Sequence, residues 1–379
     1  MFTNWYTRGN RNSFPNSAFK DFSGNWFMFA DASGNLWRRD PSNAKRLQKS
    51  SDLGASWSNL ATFTYNIGMI VVPASDPTVV LVEQDADGDW FAGGTTTTSK
   101  IYRSTDGGAT FGGSAVLTFT QGGLESFSFS TYGDTIYLAE YGEYPAVYVR
   151  KSTDKGATWS TIFTHPTPAS GTSHIHSVFA DPNQSQVVLV THGDNSGNRG
   201  THVTLNDGTS WTRLTASTDF QATCVLADST YYYFGEDGGN GLGRIHRAPR
   251  AKVLDGSFVQ ANDYVEVFRA SNIPDVAGIS YYSGYVASNG LVVLGGISYS
   301  QTNSYNNKDA IMVASSNQGA KWHVIKRYPV LPTITSGVAQ IVGYQNNIWV
   351  IENGNPVTTT REIVQFSAVD IKRYCDSRN

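Results

Sequence analysis

Residues 152–159 read STDKGATW, a polar octet centred on glycine, and close copies of it recur along the chain. The shared pattern is Ser/Thr-x-Asp/Asn-x-Gly-x-x-Trp/Phe. The other copies are SSDLGASW (50–57), STDGGATF (104–111), TLNDGTSW (204–211) and SSNQGAKW (315–322), with AKVLDGSF (251–258) as an eroded copy. A repeat of roughly 50 residues with one turn per unit predicts a radial or linear array of similar units.

The chemistry of the octet favours a structural turn over a catalytic role. Its Asp or Asn can accept backbone N–H groups of its own loop, and its glycine can adopt a positive φ. The closing aromatic ring can pack beneath the turn. We therefore expect a stabilised hairpin turn in each unit.

Between octets, each unit reads as four short strands, and alternation of apolar and polar residues marks several of them. Seven units are predicted, with six as the alternative count: 10–65, 66–122, 123–168, 169–217, 218–262, 263–333 and 334–379. The last unit lacks an octet, and we expect the N-terminal FTNWYT (2–7) to supply its missing strand and close a ring, which removes exposed sheet edges. No linker divides the chain, so residues 1–379 are read as one domain.

The octet resembles the Asp-box, or BNR repeat, of the sialidase-like β-propeller superfamily. This resemblance implies an all-β fold: a seven-bladed β-propeller of four-stranded antiparallel blades, with Asp-box turns between the third and fourth strands. It also implies that the turns lie on the face away from the active site. True sialidases carry an arginine triad with an early Arg-Ile-Pro motif, which this chain lacks, so sialidase activity is not expected.

Composition restricts the partners and the location of the protein. The net charge of −3 gives no footprint for nucleic acid, and no apolar run is long enough to insert into a membrane. The N-terminus shows no signal peptide, while only 16% of residues are charged and Gly and Tyr are abundant. This combination is typical of an extracellular or virion-associated protein. Cys224 and Cys375 are read as two free thiols.

Polar loops follow the predicted second strands and indicate a recognition face opposite the octets. Their leading residues are Glu83, Glu140, His192, Asp194, Glu236, Asp237 and Glu352. Carboxylates accept hydrogen bonds from sugar hydroxyls, and tyrosine rings stack on sugar faces. The alternative is a set of solvated loops with scattered charges.

The densest group of candidates falls in units four and five. HIHSVFA places His174 and His176 on one side of a strand, and THGD adds His192 and Asp194. The next unit adds Gln221 and Asp237, together with Arg247. Such a cluster can act as a general base, a metal-ligand set or an anion contact, or can plug a narrow channel as hydrogen-bonded histidines.

The order of these motifs is also similar to that of ulvan-lyase-type propellers. By that resemblance His174 and His192 are the catalytic histidines, Tyr231 is the acid/base and Arg247 clamps the uronate carboxylate. Tyr231 to Tyr233 form a run in which alternate members are expected in the core.

The loop DADGD places Asp85, Asp87 and Asp89 at alternate positions, a pattern that can bind Ca²⁺. The alternative is an ordinary acidic loop, because the full twelve-residue calcium loop is absent. Ca²⁺ is the one cofactor that the sequence suggests.

The sequence thus favours a glycan-recognising propeller, a phage or virion surface or tail appendage that binds host polysaccharide and contacts other virion proteins. A secreted polysaccharide lyase or glycoside hydrolase acting at the His–Asp cluster is the alternative. A purely structural assembly propeller is the third.

Overall fold

The computed structural model describes residues 18–20, 28–85, 99–119, 129–140, 146–166, 174–193, 199–216, 220–238, 241–298, 309–328, 336–353 and 362–379. Within these ranges the architecture is all-β, with a few short helices. No helix in these ranges has both the length and the apolar character needed to cross a membrane.

The strands follow one another along the chain with short connections. The first nine are β1 (Ala18–Lys20), β2 (Met28–Ala30), β3 (Leu36–Asp40), β4 (Asn43–Ser50), β5 (Ser58–Thr62), β6 (Asn66–Val71), β7 (Val80–Asp85), β8 (Lys100–Ser104) and β9 (Leu117–Thr118). The next eight are β10 (Phe129–Tyr132), β11 (Thr135–Ala139), β12 (Ala146–Ser152), β13 (Ser160–Pro166), β14 (His174–Ala180), β15 (Val188–Gly193), β16 (Gly200–Thr204) and β17 (Thr212–Ala216).

The remaining strands are interrupted by short helices. The strands are β18 (Ala222–Ala227), β19 (Tyr231–Glu236), β20 (Arg244–Pro249), β21 (Val265–Arg269), β22 (Ile279–Val286), β23 (Val292–Ser298), β24 (Ala310–Ser315), β25 (His323–Tyr328), β26 (Ser336–Tyr344), β27 (Asn347–Asn353) and β28 (Glu362–Ser367). The helices are α1 (Arg250–Leu254), α2 (Gln260–Asp263), a 3-10 turn (Ala270–Asn272) and α3 (Ala368–Asp376).

The chain divides into two compact units. The first unit comprises Gly24–Val225 and Val253–Gln260, and the second comprises Met1–Ser23, Leu226–Lys252 and Ala261–Asn379. The first unit contains four antiparallel sheets of four consecutive strands: sheet 1 (β2–β5), sheet 2 (β6–β9), sheet 3 (β10–β13) and sheet 4 (β14–β17).

The second unit continues the same four-strand pattern. Sheet 5 has the order β18-β19-β20-β21, and its first strand begins before the boundary between the units. β22–β25 and β26–β28 form two further groups, which pairing between β23 and β26 joins into one eight-stranded sheet, sheet 6. The strand order of the described chain is therefore the repeated antiparallel pattern that the sequence predicts.

The N-terminal strand β1 completes the last group by pairing antiparallel with β28. In this pairing Ala18 lies opposite Val364, and Lys20 lies opposite Glu362. The sequence had suggested residues 2–7 for such a strand, and those residues lie outside the described ranges. The strand that lies beside β28 is formed further along the chain.

All five octets connect the third and fourth strands of their groups, and they form the same hydrogen bonds. In the octet that begins at Ser152, the Ser152 hydroxyl donates to Asp154 Oδ1 at 2.8 Å and accepts the Gly156 N–H at 2.8 Å. Asp154 Oδ1 also accepts the Thr158 N–H at 2.9 Å. Equivalent bonds recur in the octets at 50–57, 104–111, 204–211 and 315–322. The predicted stabilised turn is confirmed.

The octet glycine is required for two reasons. Gly156 has a φ of +79°, and an added Cβ would lie 2.3 Å from Leu81 Cδ2 of sheet 2. Gly208 similarly lies against Ile162 of sheet 3, and Gly319 lies against Tyr233 of sheet 5. These three octets therefore also pack their own sheets against the preceding ones.

The eroded copy at 251–258 does not form an octet turn. It has Ala251 and Val253 where the pattern needs a hydroxyl and a carboxylate or amide, so the bonds that close the turn are missing. The helices α1 and α2 occupy this connection, and Val253 is buried. The fourth strand of sheet 5 is consequently β21, which lies beyond the predicted end of unit five at residue 262.

Candidate functional site

The strand ends opposite the octets carry most of the polar candidates. In each group the second strand is almost wholly buried, and a titratable side chain lies at or directly after the end of that strand in six of them. These side chains belong to Asp40 (β3), Glu83 (β7), Glu140 (after β11), His192 (β15), Glu236 (β19) and Glu352 (β27).

The carboxylates at these positions lie inside the protein rather than on an open rim. Glu140 and Glu236 are both 0% exposed, whereas Glu83 and Glu352 are 1% and 8% exposed. The sequence had placed them at the leading positions of solvated loops. Three of them, Glu83, Glu236 and Glu352, fall within the second strands rather than in the loops that follow. Their roles in ligand binding stay predictions.

Basic or hydroxyl groups of the same sheet compensate three of these buried carboxylates. Arg150 Nε donates to Glu140 Oε1 at 2.7 Å. Arg244 donates to Glu236 through its backbone N–H at 2.7 Å and through its guanidinium. Glu352 accepts bonds from Lys326 Nζ at 2.5 Å and from the Tyr328 hydroxyl at 2.9 Å. A buried charge needs such partners, so these contacts are part of the fold.

In sheet 4 a histidine replaces the carboxylate, and it lies in a cluster of imidazoles. His192 Nε2 and His202 Nδ1 of the neighbouring strand are 3.0 Å apart. The His192 ring centroid lies 4.3 Å from that of His165, which belongs to β13 of sheet 3. His192 is 1% exposed, and its Nδ1 has no hydrogen-bond partner among the described residues. We call His165, His192 and His202 the histidine cluster.

The surroundings of the histidine cluster disfavour its protonation. Burial, together with the nearby His165, His202, Arg213 and His176, lowers the pKa of His192 from 6.5 to about 2. Burial and Arg213 lower the pKa of His202 to about 4. Both imidazoles are therefore neutral at pH 7.

His176 and Gln221 meet beside the backbone of sheet 4. His176 is buried, and its Nδ1 lies 3.2 Å from the Ala222 carbonyl oxygen. A Cβ on Gly193 would lie 2.3 Å from His176 Cε1 and 2.5 Å from Gln221 Oε1. The glycine of the THGD motif is thus needed for this close approach. The pairing of His174 with Gly193 brings His174 to the same end of the sheet, although its side chain is outside what the structure describes.

Asp237 forms a separate polar group at the end of β19. Its Oδ1 accepts a hydrogen bond from the Ser280 hydroxyl at 2.7 Å and lies 3.5 Å from the Tyr282 hydroxyl. Ser280 also accepts the Gly238 N–H at 2.8 Å and is fully buried. Asp237 and Tyr282 are only half-buried, so carboxylate and phenol are both partly open to solvent. We call these three side chains the Asp237 group.

Tyr231 and Arg247 lie at the other end of sheet 5. Arg247 stacks over the Tyr231 ring at 4.3 Å and donates to the Gln318 carbonyl oxygen at 2.6 Å. Gln318 belongs to the octet at 315–322. Tyr231 begins β19 and Asp237 follows its end, which separates them by roughly 20 Å along an extended strand. Tyr231 and Arg247 therefore lie at the end of sheet 5 away from Asp237, and the catalytic roles that the lyase resemblance gives them, together with His174 and His192, stay predictions.

Arg247 instead performs a task that recurs in the first unit. Arg103 Nε donates to the Lys155 carbonyl oxygen at 2.9 Å, and Lys151 forms an ion pair with Asp207. In each case the basic residue comes from a third strand and reaches the fourth residue of the next octet. Arg247 therefore connects sheet 5 to the sheet that follows it, as Arg103 and Lys151 do for sheets 2 and 3.

The remaining candidates lie wholly or partly beyond the described residues. Asp87, Asp89 and Asp194 are outside them, as is the side chain of Asp85. Within the described ranges, no group of three or more His, Cys, Asp or Glu side chains is arranged to hold a metal ion. The Ca²⁺ loop stays a prediction.

Sequence reasoning missed several members of these groups. His165 was not singled out because it belongs to sheet 3, and only packing between sheets brings it to His192. Ser280 and Tyr282 join Asp237 in the same way, from β22 of the following group. Arg247 carried no local signal, because it lies four residues before the eroded copy at 251–258, whereas Arg103 and Lys151 directly precede their octets.

Comparison with known proteins identifies the architecture. No protein-family model matches the sequence, and no curated protein sequence matches it. Among solved structures, the chain is similar to the GH74 enzyme of Niastella koreensis, with 14% identity, a TM-score of 0.58, and coverage of 89% of this chain and 53% of that chain.

Two further structures have the same likeness. YCF48 from Cyanidioschyzon merolae has 13% identity and a TM-score of 0.56, over 93% of this chain and 97% of that one. The extracellular domain of the one-component system BT4673 from B. thetaiotaomicron has 11% identity and a TM-score of 0.54, over 92% of this chain and 38% of that one. The chain therefore spans about half of the GH74 enzyme and less of BT4673. These neighbours are β-propeller-type proteins, so the chain has a β-propeller-type fold.

Proposed function

We propose that this chain is a seven-bladed Asp-box propeller, closed by the pairing of β1 with β28, which recognises a glycan through the ends of its strands opposite the octets. The arrangement of the described strands in seven consecutive groups supports the blade count. The five octet turns, with their repeated hydrogen bonds, support the Asp-box assignment.

The Asp237 group is the observation that carries the proposed recognition. A half-buried carboxylate can accept hydrogen bonds from sugar hydroxyls, and a neighbouring tyrosine can contact the sugar ring through its face and its hydroxyl. Ser280 holds the carboxylate by a 2.7 Å bond, so little orientational freedom is lost on binding. The carboxylates of Glu140, Glu236 and Glu352 are buried with their partners and are less suited to this task.

One structural neighbour, named as a GH74 enzyme, supports a carbohydrate ligand by analogy. A second is named as the extracellular domain of a one-component system, which supports an extracellular location by analogy. We extend the proposal to an extracellular or virion-associated location, in which the protein binds host polysaccharide as a phage surface or tail appendage. Association with other virion proteins belongs to the same proposal.

Binding to a glycan panel tests the proposed recognition. The wild-type protein is expected to bind at least one polysaccharide class, and Asp237→Asn is expected to weaken that binding about tenfold or more, because a hydrogen bond to a charged group contributes about 1.5–3 kcal/mol. Tyr282→Ala should weaken it as well. Asp376→Asn, on the exposed part of α3, is the matched control and should bind like wild type.

Two outcomes would contradict this proposal. Absence of binding to any polysaccharide would favour a purely structural propeller, and unchanged affinity of Asp237→Asn would remove the Asp237 group as the site. Ultraviolet absorbance of the same mixtures would detect unsaturated uronate products. Their appearance, and their loss in His192→Ala, would favour the lyase alternative.

A further inference from the structure

The histidine cluster lies where two sheets of the first unit pack together. His165 comes from β13 of sheet 3, while His192 and His202 come from β15 and β16 of sheet 4. Ring centroids are 4.3 Å apart for His165 and His192, and 5.0 Å apart for His192 and His202. The three imidazoles therefore form a continuous stack across the boundary between the sheets.

Aromatic contacts continue this boundary on the side of His202. Phe163 of sheet 3 lies 5.3 Å from the His202 ring and 4.8 Å from the Trp211 ring, measured between centroids. Trp211 Nε1 also donates to the Ile162 carbonyl oxygen at 2.8 Å. The histidine cluster therefore packs directly against the aromatic contact that Phe163 and Trp211 form between the two sheets.

Among the described residues, the charged and titratable groups with the strongest influence on His192 are all bases. They are His165 from β13, His176 from β14, His202 from β16 and Arg213 from β17. A proton on His192 would place a positive charge in a site that is 1% exposed and already faces the Arg213 guanidinium. Protonation of both His192 and His202 would also remove the bond between His192 Nε2 and His202 Nδ1, since two doubly protonated rings can only donate.

We propose that the histidine cluster is an acid-sensitive joint, which holds sheets 3 and 4 together while its imidazoles are neutral and loosens them when acid protonates those imidazoles. This inference concerns stability and is independent of the proposed glycan recognition. The joint responds to mild acid because histidine is the side chain that ordinarily titrates between pH 5 and 8.

The direction of the pH dependence follows from the lowered pKa values. In the unfolded chain these histidines titrate near 6.5, whereas in the folded protein the pKa values of His202 and His192 are about 4 and about 2. The unfolded chain therefore takes up protons first as the pH falls. The stabilisation is complete above pH 6.5 and is lost progressively below it.

Denaturant unfolding between pH 7 and pH 4.5 tests the joint. For the transition that includes the first unit, we expect the unfolding constant to rise about tenfold per pH unit for each of these two histidines below pH 6.5. His202→Gln and His192→Gln should each lower this slope, because glutamine does not titrate. Thr164→Ala, an exposed change on β13 next to His165 that leaves every titratable group in place, should keep the wild-type slope.

The proposal is overturned if both glutamine variants retain the wild-type slope. If either variant does not fold at pH 7, NMR of ¹³C-labelled histidines in the wild-type protein measures the titration of His192 and His202 directly. We expect the His192 and His202 signals to remain those of neutral rings down to pH 5. Titration of both rings near pH 6.5 in an intact fold would overturn the joint as well.

Discussion

The two ends of the strands in each sheet differ in how strictly they repeat. At the octet end, five turns use the same residue types and the same bonds, and two successive residues have a positive φ in each, such as Lys155 and Gly156. At the opposite end, the position that closes the second strand holds Asp40, Glu140, His192, Glu236 or Glu352, each with a different partner.

This contrast shows that the octet end of each sheet determines the architecture, whereas the residue types at the opposite end can vary. The residues at the octet end form hydrogen bonds within and between sheets. These bonds determine how each sheet packs against the next. The opposite end meets only the demand that buried polar groups be satisfied, which several chemistries can fulfil. Variation is therefore tolerated there, and recognition and acid response are proposed there.

The largest expected effect tests whether the buried, paired carboxylates stabilise the fold. Glu236→Gln should lower the free energy of unfolding by about 3–5 kcal/mol, because it leaves the Arg244 guanidinium buried without its counter-charge. Denaturant titration measures this difference. Arg269→Met removes an exposed ion pair with Glu266 in the same sheet and should change stability little. Similar effects of both changes would show that the buried pair has no special structural role.

The second effect compares an intact octet with the eroded one. Gly156→Ala should cost about 2–4 kcal/mol, since it adds a strained left-handed backbone and a clash with Leu81. Gly256→Ala has almost the same φ, +77°, but no atom within 4 Å of the added Cβ. It should cost only about 1–2 kcal/mol. Equal losses in thermal or denaturant unfolding would mean that the octet does not fasten one sheet to the next.

The smallest effect concerns the charge of the octet carboxylate. The Thr110 hydroxyl and backbone N–H, with Ser104, lower the pKa of Asp106 from 3.8 to about 2. Its stabilisation is therefore present above pH 3.8 and is lost as the pH falls toward 2.

Asp106→Asn should thus be slightly less stable than wild type at pH 7, because the amide keeps the backbone hydrogen bond but not the carboxylate charge, and it should show a flatter loss of stability below pH 4. Asn206 and Asn317 already occupy this position in two octets and make the same backbone bond. A large loss of stability at neutral pH in this variant would indicate that the charge, rather than the hydrogen bonds, holds the turn.

The local chemistry of the octet made the turns and their place between third and fourth strands predictable. Ser152, Asp154 and Gly156 bond to one another within five residues, so the pattern alone specifies the geometry. The failure at 251–258 has the same origin, because a residual Asp-Gly pair does not replace the missing hydroxyl of the first position.

The polar groups opposite the octets were only partly predictable, since they depend on which sheets meet. His192 was recognised as a candidate in the sequence, but His165 reaches it from another sheet. Tyr231 and Asp237 fell in the same predicted unit, although an extended strand carries them to opposite ends. Glu83 and Glu352 were placed at the starts of polar loops, whereas packing buries both side chains.

The pairing of Ile297 with Gly337 and of Ser298 with Ser336 gives the last two groups of strands a continuous backbone ladder. Gly337 permits it, since its φ is +128° and an added Cβ would lie 2.2 Å from the Gly296 carbonyl oxygen. Opening either group alone must break backbone hydrogen bonds in which both groups take part. Slow hydrogen exchange in β23 and β26 should therefore report a single cooperative opening, so that these two groups behave as one foldon.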